Sequence, residues 1–340
     1  MIYGDRIRQA REFAGLTQTQ LANAIGVKQA AISQMEYGDF VPTQNLLEGI
    51  AGKTGFLPSF FELVPDDELP FGTLNYRARK STTSREELKV YQYANLLYQQ
   101  VKRICLDVMM PPNKLPQLRE VTIKQAVEIT RDTLGFNPNE PVKKLINTIE
   151  KNGVIILNIH RDIPKIDAFS TWARLDEERP IIVLLSGKPM DRIRFSIAHE
   201  LGHLVLHQPI KKTRLKLIEN EANEFASAFL MPEQAMRQEM KPPVTLTLLA
   251  KMKLRWGVSM QALTMQAYNL RIITQRQARY LFTQMSAQGW RTREPSNLDL
   301  KVETPYLVKD MIESKYKTRA DYALDARIDT DVATEFYVYA

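Results

Sequence analysis

His199 and His203 stand four residues apart in the stretch "DRIRFSIAHELGHLVLH", and that segment reads as an α-helix. Ile193, Ile197, Leu201 and Leu204 recur through it at helical intervals, which gives it an apolar stripe. Residues four apart on a helix are turned by only roughly 40°, so both imidazoles leave from one face. Two imidazoles so placed can ligate a single zinc ion. Glu200 adjoins the first of them and is placed as general base for a water at such an ion. Gly202 is expected to allow close approach at the metal face.

A third ligand has to come from elsewhere. His207 lies eight residues past His199 and is rotated by roughly 80° from it, so it reads as a partly exposed residue at the helix end. A three-histidine set would need histidine where Pro209 stands. The stretch "IENEANEFASAFLMP" (218–232) supplies a carboxylate instead. Ala222, Ala226, Phe229 and Leu230 form one apolar helical face, and Glu219 falls on that same face, pointing inward. An inward carboxylate is costly unless a cation meets it. Asn223, one turn on, can hydrogen-bond a ligating histidine, whereas Glu221 and Glu224 point away.

Composition narrows the setting. The chain has 340 residues, 44% of them apolar and 25% charged, which fits a multidomain globular protein. Its one cysteine, Cys105, excludes an internal disulfide framework and points to a reducing cytoplasm. The longest apolar runs, "VIIL" and "PIIVLL", suit buried strands and are far too short to span a bilayer. A soluble, cytoplasmic protein without membrane contact is expected. The net charge of +7 permits nucleic-acid binding. Residues 1–65, however, hold five Lys+Arg against six Asp+Glu. The surplus lies in "NYRARK" (75–80), "KKTRLK" (211–216) and "LRIITQRQAR" (270–279).

That neutral first segment is punctuated by glycines. Gly15 ends a first helix carrying Ile7, Ala10 and Phe13. Thr17 then caps "QTQLANAI", Gly26 turns the chain, and Gly38 closes "KQAAISQMEY". Two short helices joined by a tight turn can place the second in a major groove. Its exposed positions are Lys28, Gln29, Ala30, Ser33 and Gln34; glutamine can pair with adenine, and alanine can meet a thymine methyl. Gln18 is placed to meet a phosphate at a helix N-terminus. The pattern over residues 5–57 resembles the Xre/Cro-type helix-turn-helix family of phage repressors. That resemblance implies double-stranded operator DNA as partner and Gln18, Gln29, Ala30, Ser33 and Gln34 as DNA-facing positions. A homodimer reading two half-sites is expected, since near-neutral charge alone gives modest affinity.

After an acidic, proline-punctuated boundary (64–72), a long helix is expected over 84–110, with Ser84 and Glu87 as its capping box. Further helices precede three strand candidates, "VIILNI" (154–159), "AFSTWARL" (168–175) and "PIIVLLS" (180–186), which make a small sheet packed on helices.

"RFSIAHELGHLVLH" followed by "ENEANEFASAFLMP" resembles the ImmA/IrrE family of cytoplasmic zinc metallopeptidases, over about residues 140–275. The resemblance implies a zincin-like α+β domain, Zn2+ held by His199, His203 and a glutamate of the second helix, and Glu200 as catalytic residue. Glu219 is favoured by its face, with Glu221 as the other choice. It further implies a helical, helix-turn-helix-like module after the peptidase, where packing is expected to outweigh DNA reading although Lys253, Arg255 and Arg271 leave the latter open. Members of this family remove repressors of the phage type and so relieve repression in stress responses or mobile elements.

The expected architecture is therefore multidomain and mainly α. Residues 1–65 form the all-α helix-turn-helix domain, 66–139 a helical linker region, and 140–240 the peptidase domain. Residues 241–293 form the helical module, and the 47 residues from 294 to 340 have no assigned role. The expected function is a DNA-binding regulator whose zinc endopeptidase cleaves a repressor-type protein, a partner or itself. The alternative is a non-proteolytic transcription factor with a structural or sensory zinc site.

Overall fold

The computed structural model describes residues 1–70, 84–159, 167–185, 187–207 and 215–339. The "NYRARK" cluster, Pro209, most of "KKTRLK" and the side chain of Ser84, hence its capping box, lie outside the described residues.

Four short helices open the chain: α1 (Gly4–Phe13), α2 (Gln18–Ile25), α3 (Gln29–Tyr37) and α4 (Gln44–Thr54). Thr17 caps α2 in a full capping box with Gln20, satisfying two of the backbone N–H groups a helix start leaves open. Gly26 sits at φ 73° between α2 and α3, a left-handed conformation that a Cβ disfavours. The turn throws α3 across α2, and Ile7, Ala10, Leu21, Ile32 and Ile50 fill the space between helices with no exposure.

The middle of the chain carries α5 (Ser84–Ile104), α6 (Ile123–Thr133) and α7 (Leu145–Lys151), then strands β1 (Ile155–Ile159), β2 (Ala168–Arg174) and β3 (Glu178–Leu185). The first of these helices stops six residues short of the expected end. Leu106 and Met109, beyond its last turn, are almost fully exposed, so no apolar face continues to hold a helix there. In the sheet the order is β1-β3-β2, with β1 parallel and β2 antiparallel to β3. The remaining helices are α8 (Met190–Leu206), α9 (Leu215–Leu230), α10 (Glu233–Glu239), α11 (Leu246–Trp256), α12 (Met260–Asn269), α13 (Gln275–Ala287), α14 (Leu307–Lys315), α15 (Arg319–Ala326) and α16 (Thr330–Tyr339).

The sheet separates two cores. Successive side chains of a strand point to opposite faces. Ile155, Leu157, Phe169, Ile181 and Val183 join a core with α1–α5 and α14–α16. Ile156, Ala168, Trp172, Ile182 and Leu184 join the other, with α6–α13. Both faces are covered, which explains why β1 and β3 read as unbroken apolar runs rather than alternating ones.

The last forty-odd residues are fastened on both sides of this divide. Phe56 pairs with Ile328 in an isolated bridge, and Phe336 meets Phe13 and Tyr93 edge-on at 6.1 Å and 4.7 Å between ring centres. The Glu150 carboxylate accepts from the backbone N–H groups of Tyr306 at 3.1 Å and Leu307 at 3.2 Å, where α14 begins and its N–H groups are free to donate. The C-terminal helices thus complete the core of the helix-turn-helix unit.

Candidate metal centre and DNA-facing helix

Helix α8 runs under the sheet with Ile197, Leu201 and Leu204 fully buried, and α9 lies along it. Gly202 permits that close approach: a Cβ there would stand 3.1 Å from the ring of Phe225 on α9. Gly202 thus lets α8 and α9 lie close together beside the histidines, since Glu219 and Asn223, which meet them, also stand on α9.

Where the two helices meet, His199, His203 and Glu219 converge, with one donor atom from each lying within 4.8 Å of the others. The two Nε2 atoms are 3.0 Å apart. Carboxylate oxygens of Glu219 stand 3.3 Å from Nε2 of His203 and 3.5 Å from Nε2 of His199. Donors about 2.1 Å from a tetrahedral ion stand about 3.4 Å apart, so the set has the spacing that zinc requires. Two imidazole nitrogens and a carboxylate are also the ligand types that zinc takes. Both histidines are almost entirely buried.

Each ring is held from behind. Nδ1 of His199 lies 3.0 Å from Oδ1 of Asn223, the contact expected for that asparagine. Nδ1 of His203 lies 3.1 Å from Nδ1 of His207, whose Nε2 is 3.0 Å from Oε2 of Glu221. His207 thus departs from the reading of a partly exposed bystander: it is only 8% exposed. Burial, and next the neighbouring His203, hold its imidazole below the ordinary range, while Glu221 pulls the other way. Glu221 does not point idly to solvent either, and it is His207 rather than the donor cluster that it meets.

Glu200 is fully buried. The hydroxyl of Ser170 on β2 donates to its Oε2 at 2.7 Å. Ser170 shares the α8-facing side of β2 with Ala168 and Trp172. Sequence reasoning passed over it, although a serine between Ala168 and Trp172 on the inward face of the strand was the available signal.

On the helix-turn-helix unit, Lys28, Gln29, Ala30 and Gln34 are exposed and Ser33 is half-buried. Gln18 is half-buried, donating to Glu36 at 2.8 Å and accepting from Gln29 at 2.7 Å. Glu36 is in turn paired with the buried guanidinium of Arg11. A charged pair inside the unit therefore positions the two glutamines at its surface, an arrangement the sequence reading did not anticipate.

In the later helical module, Gly257 turns α11 into α12 at φ 68°, as in a helix-turn-helix. Lys253 is buried between Asp191 and Glu294, and Arg255 pairs with Glu239. Lys253 is thereby turned away from any DNA, whereas Arg255 and Arg271 are exposed. No helix among the described residues is long and apolar enough to cross a membrane.

The comparisons with known proteins agree with this layout. The chain joins a DNA-binding helix-turn-helix domain of the Xre type, matched over residues 7–59, to a metallopeptidase-like domain. That second domain, residues 150–268, matches the peptidase M78 family model, described as an IrrE N-terminal-like domain. No curated protein matches the chain. Among solved structures, Bacillus thuringiensis PlcR in complex with the peptide PapR7 and DNA aligns at 14% identity over 98% of this chain and 94% of that one. The TM-score of 0.17 is too low to carry a comparison of folds.

Proposed function

We propose that the chain is a cytoplasmic transcriptional regulator carrying a zinc-dependent endopeptidase that cleaves a repressor-type protein and so relieves repression. The observation that carries this reading is the convergence of the buried His199 and His203 with the half-buried Glu219, beside the buried Glu200. In it, residues 1–65 bind operator DNA through Gln18, Lys28, Gln29, Ala30, Ser33 and Gln34, as a homodimer. Residues 140–240 hold the chemistry.

His199, His203 and Glu219 would hold Zn2+, with Asn223 orienting His199. The ion, when bound, supplies Lewis acidity toward a peptide carbonyl and toward water. Glu200 accepts the proton of the attacking water on its carboxylate and returns it to the departing amine. The Ser170 hydroxyl keeps that carboxylate in one orientation. The burial of His199, His203 and Glu200 strengthens each of these interactions.

A purely structural or sensory zinc site is less well supported. His207, the residue able to close such a site, turns its two nitrogens to His203 and Glu221. Incubating the zinc-loaded chain with helix-turn-helix repressors and identifying products by mass spectrometry tests the proposal. Discrete fragments of a repressor, or of the chain itself, are expected; the absence of any cut overturns it.

A further inference from the structure

Behind the donor cluster the two histidines are held by different chemistry. His199 faces a neutral amide, Asn223. His203 faces another imidazole, and that imidazole faces a carboxylate. Hydrogen-bond direction fixes the protons along this second line. An ionised carboxylate only accepts, so His207 carries its proton on Nε2 and presents a lone pair at Nδ1. His203 then donates from Nδ1, which leaves the lone pair of its Nε2 directed at Glu219 and His199.

We propose that Glu221 and His207 form an orienting relay that holds His203 in its metal-binding tautomer and ring position; the proposal rests on the zinc reading above. His207 and Glu221 are positioning residues, acting only through His203.

The local backbone explains how His207 reaches this place. It follows the last residue of α8 with φ −117° and ψ 38°, outside helical values. Its ring centre lies 5.2 Å from that of His203, one turn back. A residue rotated away from the ion can still stand behind a ligand of the ion, which is all the relay needs. At 8% exposure, little water can replace a lost partner, and buried hydrogen bonds of this kind carry more weight than exposed ones.

The test uses the full chain, zinc alone as probe, and competition against a chromophoric chelator. His207→Phe fills the volume but accepts no hydrogen bond, and is expected to weaken zinc binding about 10- to 100-fold. Glu221→Gln, at a half-buried position, is expected to weaken it less. The double variant should bind no more weakly than His207→Phe, because both changes act through one bond. His207→Gln, which restores an acceptor, should recover part of the loss. Nitrogen-15 spectra of the zinc-loaded wild type should show His203 protonated on Nδ1 and His207 on Nε2, and the thermal midpoint of the zinc-free variants controls for folding. Unchanged affinity in folded variants, independent losses in the double variant, or a metal-shifted resonance on His207 overturns the relay while leaving the zinc reading intact. A wild-type chain that binds no zinc overturns both.

Discussion

The hydroxyl of Ser170, on the edge strand of the sheet, donates to Oε2 of Glu200 at 2.7 Å, and neither residue is appreciably exposed. Two elements far apart in sequence thus fix the carboxylate beside the metal donors. A hydrogen bond to a buried charged group contributes about 1.5–3 kcal/mol. Ser170→Ala should lower stability by about that amount in urea titrations and lower peptidase turnover without altering zinc content. Turnover equal to wild type would show that Glu200 needs no such support.

At Gly202 the helix α8 lies close against Phe225 of α9. In an exposed helix interior, alanine would be favoured over glycine by about 1 kcal/mol. Here a methyl group would press on Phe225, which is fully buried and stacked on Phe229 at 5.8 Å, so the ring cannot retreat. Overpacking costs about 1–3 kcal/mol. Gly202→Ala is therefore expected to lower the thermal midpoint and, by moving α9, to weaken zinc binding. A midpoint at or above wild type would mean that the two helices have room to separate.

The C-terminal helices should detach more readily as pH rises. Burial pushes the Glu150 carboxyl up to about 8 from its ordinary 4.5, although the N–H groups of Tyr306 and Leu307 oppose the shift. The folded chain then binds this proton more tightly than the unfolded chain. Its contribution to stability is present below about 4.5 and is lost as pH rises through about 8. Thermal midpoints measured between pH 5 and 8.5 should fall more steeply for wild type than for Glu150→Gln, which keeps an acceptor without the charge. Parallel curves would contradict this.

Gln34 and Lys28 should separate two kinds of DNA contact. Gln34→Ala is expected to relax preference for one base pair, a loss of about 1–3 kcal/mol in discrimination. Lys28→Ala should leave the preference intact and reduce the salt slope of binding by about 1. Binding titrations on operator and scrambled duplexes at several salt concentrations distinguish the two. If both variants changed the salt slope and neither changed preference, α3 would not be the reading helix.

Local order was legible in the sequence; tertiary partnership was less so. Thr17 and Gly26 announced the bounds of α2 through capping and turn chemistry that operate within a few residues. Glu219 could be placed beside the histidines from the sequence because α9 buries one clear apolar stripe. What escaped depended on how elements meet. Helical rotation showed that His207 points away from His199, but not that it stands behind His203. That Gly202 allows a close approach was legible, but nothing in the sequence names Phe225 as the side chain that comes close. The final helices gave no sign of their role, since their apolar residues complete a core begun some three hundred residues earlier.

Peptide-bond cleavage by the cluster around His199 is the property on which the proposed function depends. Its most direct test compares wild type with Glu200→Gln at equal zinc occupancy, both incubated with the same repressor substrates. Cleavage by wild type and none by Glu200→Gln is expected, with zinc affinity nearly unchanged, because Glu200 handles the proton and does not hold the metal. Equal cleavage by the two proteins, or none by either with zinc fully bound, would contradict it.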